Sequence, residues 1–73
     1  MDNQLLTSLR RDLQLHYELR YGPATIHFDE FIPLVDDSAY VQITISKGDR
    51  FITRYYGTVA YQNNRLHTDV RAI

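Results

Sequence analysis

Residues 40–61, YVQITISKGDRFITRYYGTVAY, decide how this chain is read. Val41, Ile43 and Ile45 alternate with Tyr40, Gln42, Thr44 and Ser46, the period of two that marks a strand with one buried and one wetted face. Lys47-Gly48-Asp49 interrupts the pattern, after which Phe51, Thr53, Tyr55, Gly57, Val59 and Tyr61 resume it on one side. With residues 47–49 as the loop, Ile45 faces Phe51, Ile43 faces Thr53 and Val41 faces Tyr55, while Gln42 faces Arg54 and Tyr40 faces Tyr56. A shift of one residue would set Ile43 against Arg54, so the apolar set selects this register. Gly57, inside a long run, marks a bend or bulge.

Toward the C-terminus, Gln62-Asn63-Asn64-Arg65 reads as a two-residue hairpin, because asparagine tolerates the positive φ that such turns need. Pairing 62 with 65 sets Tyr61 against Leu66, Val59 against Thr68 and Gly57 against Val70. The other face then carries Ala60 by His67, Thr58 by Asp69 and Tyr56 by Arg71. Toward the N-terminus, residues 33–38 form a loop: Pro33 blocks ladder pairing, Asp36-Asp37-Ser38 suits side-chain-capped turns, and Leu34 and Val35 tuck over the core edge. In the strand before it, Ile26 and Phe28 point inward, His27 and Asp29 outward. Strict alternation would next bury Glu30 and expose Phe31, so a stop or bulge is expected near Asp29.

The first 21 residues carry the helical period. Asp2 or Asn3 caps the start, and Gly22-Pro23 ends it. Leu5, Leu6, Leu9, Leu13, His16 and Tyr17 share a broad face, which Leu15 and Leu19 widen, opposite Thr7, Arg10, Arg11, Gln14 and Glu18. The whole is one domain, residues 1–73, of α+β class: a helix over about 3–21 packed on a four-stranded antiparallel meander of strands about 25–31, 39–46, 50–61 and 65–71. A small curled barrel with one helix is the alternative.

Composition narrows the function classes. The 73 residues include no cysteine, which removes disulfide and thiolate-metal staples and fits a reducing, cytoplasmic setting. A chain this short buries only about 60% of its unfolded surface. The N-terminus has no basic and apolar leader pattern, and no run reaches membrane-spanning length, so no membrane partner is expected. Net charge is −1 with both signs interspersed, which disfavours a polyanionic partner.

Six tyrosines, and seven arginines against one lysine, are the compositional biases. Both residue types are enriched at binding hot spots, since each joins contact area to a polar end.

Catalytic patterns are weak. His27-Phe28-Asp29 and His67-Thr68-Asp69 each project a His and an Asp from one strand face, and the four could bind zinc if the first and last strands were neighbours. Ser38 has no strand-to-helix elbow and no placed base. The carboxylate pairs Asp36-Asp37 and Asp29-Glu30 are sequence neighbours, poorly set to converge on one substrate. The isolated glycines make no phosphate loop, and no cofactor is called for.

The registers place Tyr40, Gln42, Arg54, Tyr56, His67 and Arg71 together on the face away from the helix. That face suits a small non-enzymatic protein-binding module, a regulator or inhibitor of a larger cytoplasmic assembly, with a size that would fit a phage or mobile-element origin. Its partner is a protein, with a homodimer as a further expectation from the wide apolar arc of the helix. Single-stranded nucleic acid stacked between Tyr and Arg is the alternative, and a metal site built on the His-x-Asp pairs the second.

Overall fold

The N-terminal periodicity forms helix α1, Asn3–Tyr21, in the computed structural model, which describes residues 3–35 and 37–73. Of the two expected caps, Asp2 lies outside the described residues, as does Asp36, and Asn3 is the first residue of the helix. At the other end the Gly22 N–H donates to Glu18 O at 2.8 Å, the single bond that closes a helix through a left-handed residue. Leu9, Leu13 and Tyr17, four apart, make the fully buried ridge, and Tyr21 extends it. The buried stripe is narrower than the arc read from the sequence. His16 is exposed, and Leu15 and Leu19 are 50% and 87% exposed. At 100° per residue these two leucines point roughly 160° and 120° away from Leu13, beyond the reach of one sheet.

Four strands follow: β1 Thr25–Pro33, β2 Ser38–Lys47, β3 Arg50–Gln62 and β4 Arg65–Ala72. They pair antiparallel in the order β1-β2-β3-β4. This is the α+β meander, with α1 across one face; the sheet is open, so the curled barrel is ruled out. Ala39, Val41, Ile43 and Ile45 of β2 and Val59 of β3 fill the core beneath Leu9, Leu13 and Tyr17. Ile26, Phe28, Phe31, Tyr55, Leu66 and Val70 pack around them.

The expected bulge falls at Asp29. Phe28 pairs with Ile43 and Glu30 with Gln42, leaving Asp29 as the extra residue. Phe28 and Phe31 therefore both face α1, where their rings meet edge to face at 6.0 Å and the Arg10 guanidinium lies 4.7 Å from the Phe28 ring centre. β1 continues past the bulge to Pro33, which pairs with Ala39 rather than ending the ladder. The next residue explains why: the Leu34 N–H donates to Ser38 O at 2.9 Å, so the alternation turns the Pro33 nitrogen to the open edge, where no bond is lost. Leu34 and Val35 do not cover the core edge; both are exposed.

The β2–β3 register differs from the expected one by two residues. Val41 pairs with Gly57, Gln42 with Tyr56, Ile43 with Tyr55, Thr44 with Arg54 and Ile45 with Thr53. Lys47 pairs with Arg50, so the loop is the two residues Gly48-Asp49. Only Gly48 of the two has positive φ, +60°, which is the type II′ turn with glycine in its first central position. A two-residue turn starts the ladder one step out of phase and would drive Arg54 toward the core. The bulge at Ile52 restores the phase, and its consequence is that Phe51, expected inside, pairs with Ser46 and stands 60% exposed.

The β3–β4 register agrees with expectation from Gln62–Arg65 to Tyr56–Arg71, and Asn63 and Asn64 both take positive φ in a type I′ turn. Gly57 is not a bulge, since pairing runs through it on both sides. It is a close approach: a Cβ there would lie 2.2 Å from Asp69 O.

Tyrosines join helix to sheet. Tyr17 stacks on Tyr55 with ring centres 5.2 Å apart, and the Tyr21 and Tyr55 hydroxyls hydrogen-bond each other. The Tyr61 hydroxyl donates to Asp12 on α1. Burial, then the bond to Asp12 and its negative charge, pushes Tyr61 up to about 12. Burial first, then the neighbouring Tyr55 and Tyr21, pushes Tyr17 up to about 12. The Tyr17 hydroxyl is buried with no hydrogen-bond partner among the described residues.

Candidate functional site on the open sheet face

One helix covers one face, so the opposite face of the sheet is bare. Strand pairing arranges it in rows that run across the strands. Glu30, Gln42, Tyr56 and Arg71 form the central row, and Ile32, Tyr40, Thr58 and Asp69 form the next. His27, Thr44 and Arg54 lie in the row on the other side, while Ser38, Ala60 and His67 lie beyond Tyr40.

All six residues singled out from the sequence lie on this face, with the expected neighbours between β3 and β4 but not between β2 and β3. Tyr40 pairs with Thr58, not Tyr56, and Gln42 pairs with Tyr56, not Arg54. The shift of two residues preserved the face and changed the partners. Tyr40, Gln42, Tyr56 and Arg71 are brought together: the Gln42 side-chain amide donates to the Tyr40 hydroxyl at 2.9 Å, and Tyr56 remains 38% exposed between Gln42 and Arg71. Tyr40, Tyr56 and Arg71 line an open depression of about 300 Å³ together with Gly57, Thr58 and Asp69.

Arg54 belongs to a different cluster. Its Nε donates to Thr44 Oγ1 at 3.0 Å, and Thr44 Oγ1 in turn donates to Asp29 Oδ2 at 2.5 Å. The Arg54 and His27 side chains approach the same carboxylate at 3.8 and 3.6 Å. The bulge carries Asp29 into this position. His67 is separated from Arg71 by four residues of strand, roughly 13 Å, and borders a second depression with Leu34, Ser38, Thr58 and Asp69.

Ile32 and Leu34 were absent from the sequence-based site. The signal was available: once a bulge at Asp29 is accepted, Phe31 turns inward and Ile32 outward. Phe51 needed the Ile52 bulge, which the alternation hides.

The two His-x-Asp pairs do not meet. β1 and β4 are opposite edges, so three strand spacings, roughly 14 Å, separate them. Among the described residues there is no group of three or more His, Asp or Glu set to hold a metal ion, and no helix is long and apolar enough to cross a membrane. No protein-family model matches the chain, and neither a curated protein sequence nor a solved structure does.

Proposed function

We propose that this chain is a small, non-enzymatic protein-binding module whose recognition surface is the bare sheet face, acting as a regulator or inhibitor of a larger cytoplasmic assembly. The observation that carries the reading is Tyr56, exposed at the middle of that face with Gln42 and Arg71 beside it and Tyr40 on the diagonal. A wetted antiparallel face is ordinarily polar. Here two tyrosines, Ile32 and Leu34 share it with two arginines, the mixture of aromatic area and guanidinium that concentrates binding energy. Asp29, Glu30 and Asp69 lie among them, a pattern that opposes a phosphate backbone and suits a partner of mixed charge.

Affinity capture from source-cell lysate, compared between wild type and face variants, tests the reading. Tyr56→Ala and Arg71→Ala are expected to weaken capture of the same partner more than tenfold, about 2 kcal/mol or more at a hot spot, while thermal stability stays nearly unchanged. Ile43→Ala is expected to do the reverse, losing about 2–5 kcal/mol of stability by emptying volume under α1. Capture that ignores both face variants sinks the proposal. Salt-sensitive binding of a single-stranded oligonucleotide, lost in Tyr56→Ala, would hand the face to nucleic acid instead.

A further inference from the structure

The two free edges of the sheet are built differently. On β1 the Asp29 bulge breaks the ladder and Pro33 offers no N–H to the outside, both of them devices that stop an edge from adding a strand. β4 has neither. Its register with β3 runs without a shift from Arg65 to Ala72, and it contains no proline. The Ile73 N–H donates to Arg54 O at 2.9 Å, which sets the phase: the odd-numbered residues of β4 bond to β3. Main-chain groups alternate sides along a strand, so the N–H and C=O of Leu66, Thr68, Val70 and Ala72 point outward to the open edge.

The side chains along this edge complement themselves. We infer that β4 pairs antiparallel with β4 of a second copy, with Thr68 opposite Thr68 on the two-fold axis. In that register Leu66 lies opposite the second copy's Val70, and these outward-directed pairs each exchange two main-chain hydrogen bonds. His67 lies opposite the second copy's Asp69, twice by symmetry, at the non-hydrogen-bonded positions where side chains come closest. Alternative registers are worse. Centring on Asp69 sets that carboxylate against itself and His67 against Arg71; centring on His67 or on Val70 would bring Arg65 or Arg71 to Asp69, but either overlaps only five residues of β4, against seven in the Thr68 register. Any centre between residues opposes helix-facing with outward-facing side chains. The one unfavourable feature of the Thr68 register is Arg65 opposite Arg71, at the ends, where both side chains are exposed and free to splay.

The result is a continuous eight-stranded sheet with both helices on one side and both bare faces joined on the other. It stands whether or not that face binds a partner protein.

Sedimentation velocity of the full chain from micromolar to several hundred micromolar tests it. Wild type is expected to move from the monomer mass to twice that mass as concentration rises. Thr68→Pro removes an N–H that β3 does not use, so circular dichroism is expected to stay native while the dimer disappears. His67→Asp turns two attractive pairs repulsive and is expected to weaken the dimer about tenfold. Adding Asp69→Lys to it sets opposite charges at both positions and restores the dimer, a rescue that decides the matter even if Thr68→Pro disturbs folding. A wild type that stays monomeric at several hundred micromolar overturns the inference. So does a dimer indifferent to the charge swap, or one broken instead by Leu15→Glu on the helix.

Discussion

Gly57→Ala perturbs a position where the main chain of β4 leaves no room for a Cβ on β3. A Cβ at residue 57 would lie 2.2 Å from Asp69 O, 2.8 Å from Val70 Cα and 3.1 Å from Asp69 C. All three are main-chain atoms of the paired strand, so no side chain can swing aside. Ordinary carbon–oxygen contact begins above 3 Å, and about 1 Å of separation must come from moving β4. The φ of +150° adds a second cost, because only glycine adopts it readily. Holding alanine there costs about 1–3 kcal/mol, and forcing extra volume into a packed site about 1–3 more. Against a total stability of about 4–11 kcal/mol for a chain of this length, a combined loss of about 2–6 kcal/mol is a large fraction. Gly48→Ala is the control: φ is also positive, +60°, but nothing lies within 4 Å of the added methyl, so only the backbone strain, about 1–3 kcal/mol, is expected. Urea unfolding followed by circular dichroism gives both losses, and their difference isolates the clash. A Gly57→Ala variant within about 0.5 kcal/mol of Gly48→Ala would refute the close-approach argument.

Two further outcomes are expected inside the core. Tyr17→Phe removes a buried hydroxyl that lacks a partner, so the urea midpoint should hold or rise, by up to about 1 kcal/mol in stability; a clear loss would mean that the hydroxyl does find a partner in solution. Tyr17 and Tyr61 titrate near 12 in the folded chain against an ordinary value of 10, so the folded state holds these protons more tightly than the unfolded one. Their stabilising effect is complete below about pH 10 and is lost as pH rises toward and through 12. Thermal unfolding between pH 8 and 12 reads this directly, Tyr61→Phe is expected to flatten the fall, and a flat wild-type profile would contradict it.

What was legible in the sequence follows from where local chemistry had only one solution. Helix α1 is bounded by Gly22-Pro23, and the Asn63-Asn64 turn admits one hairpin register, so both read correctly. Lys47-Gly48-Asp49 admits two. Inner-face alternation alone favoured the three-residue loop, because it needs no bulge to keep Arg54 out of the core. The position of the glycine argues otherwise. A three-residue loop needs its left-handed residue last, at Asp49, whereas a type II′ turn needs glycine first, at Gly48. The candidate face was recognisable because a slip of two residues preserves which side each residue takes. Its neighbours between β2 and β3 were not, since the slip moves every partner across that pair.

The two bulges act on the same problem and bear on which part of the bare face matters. β2 keeps unbroken alternation from Ala39 to Ile45, and its neighbours β1 and β3 each insert one residue to stay in phase with it. Without the Asp29 bulge, Glu30 would enter the core and Phe31 would leave it; burying an unpaired carboxylate and exposing a phenyl ring cost several kcal/mol together. The apolar residues that the bulges turn outward, Ile32 and Phe51, are therefore explained by what the core requires. Tyr40 and Tyr56 are not, because both lie on regular stretches of ladder where neighbouring outward positions carry Gln42, Thr44 and Thr58. No inner-face requirement calls for an aromatic ring at either site. The case for recognition thus rests on the Tyr40–Gln42–Tyr56–Arg71 group and not on exposed apolar area as such, and a partner that contacted only Ile32 and Phe51 would be using a by-product of folding.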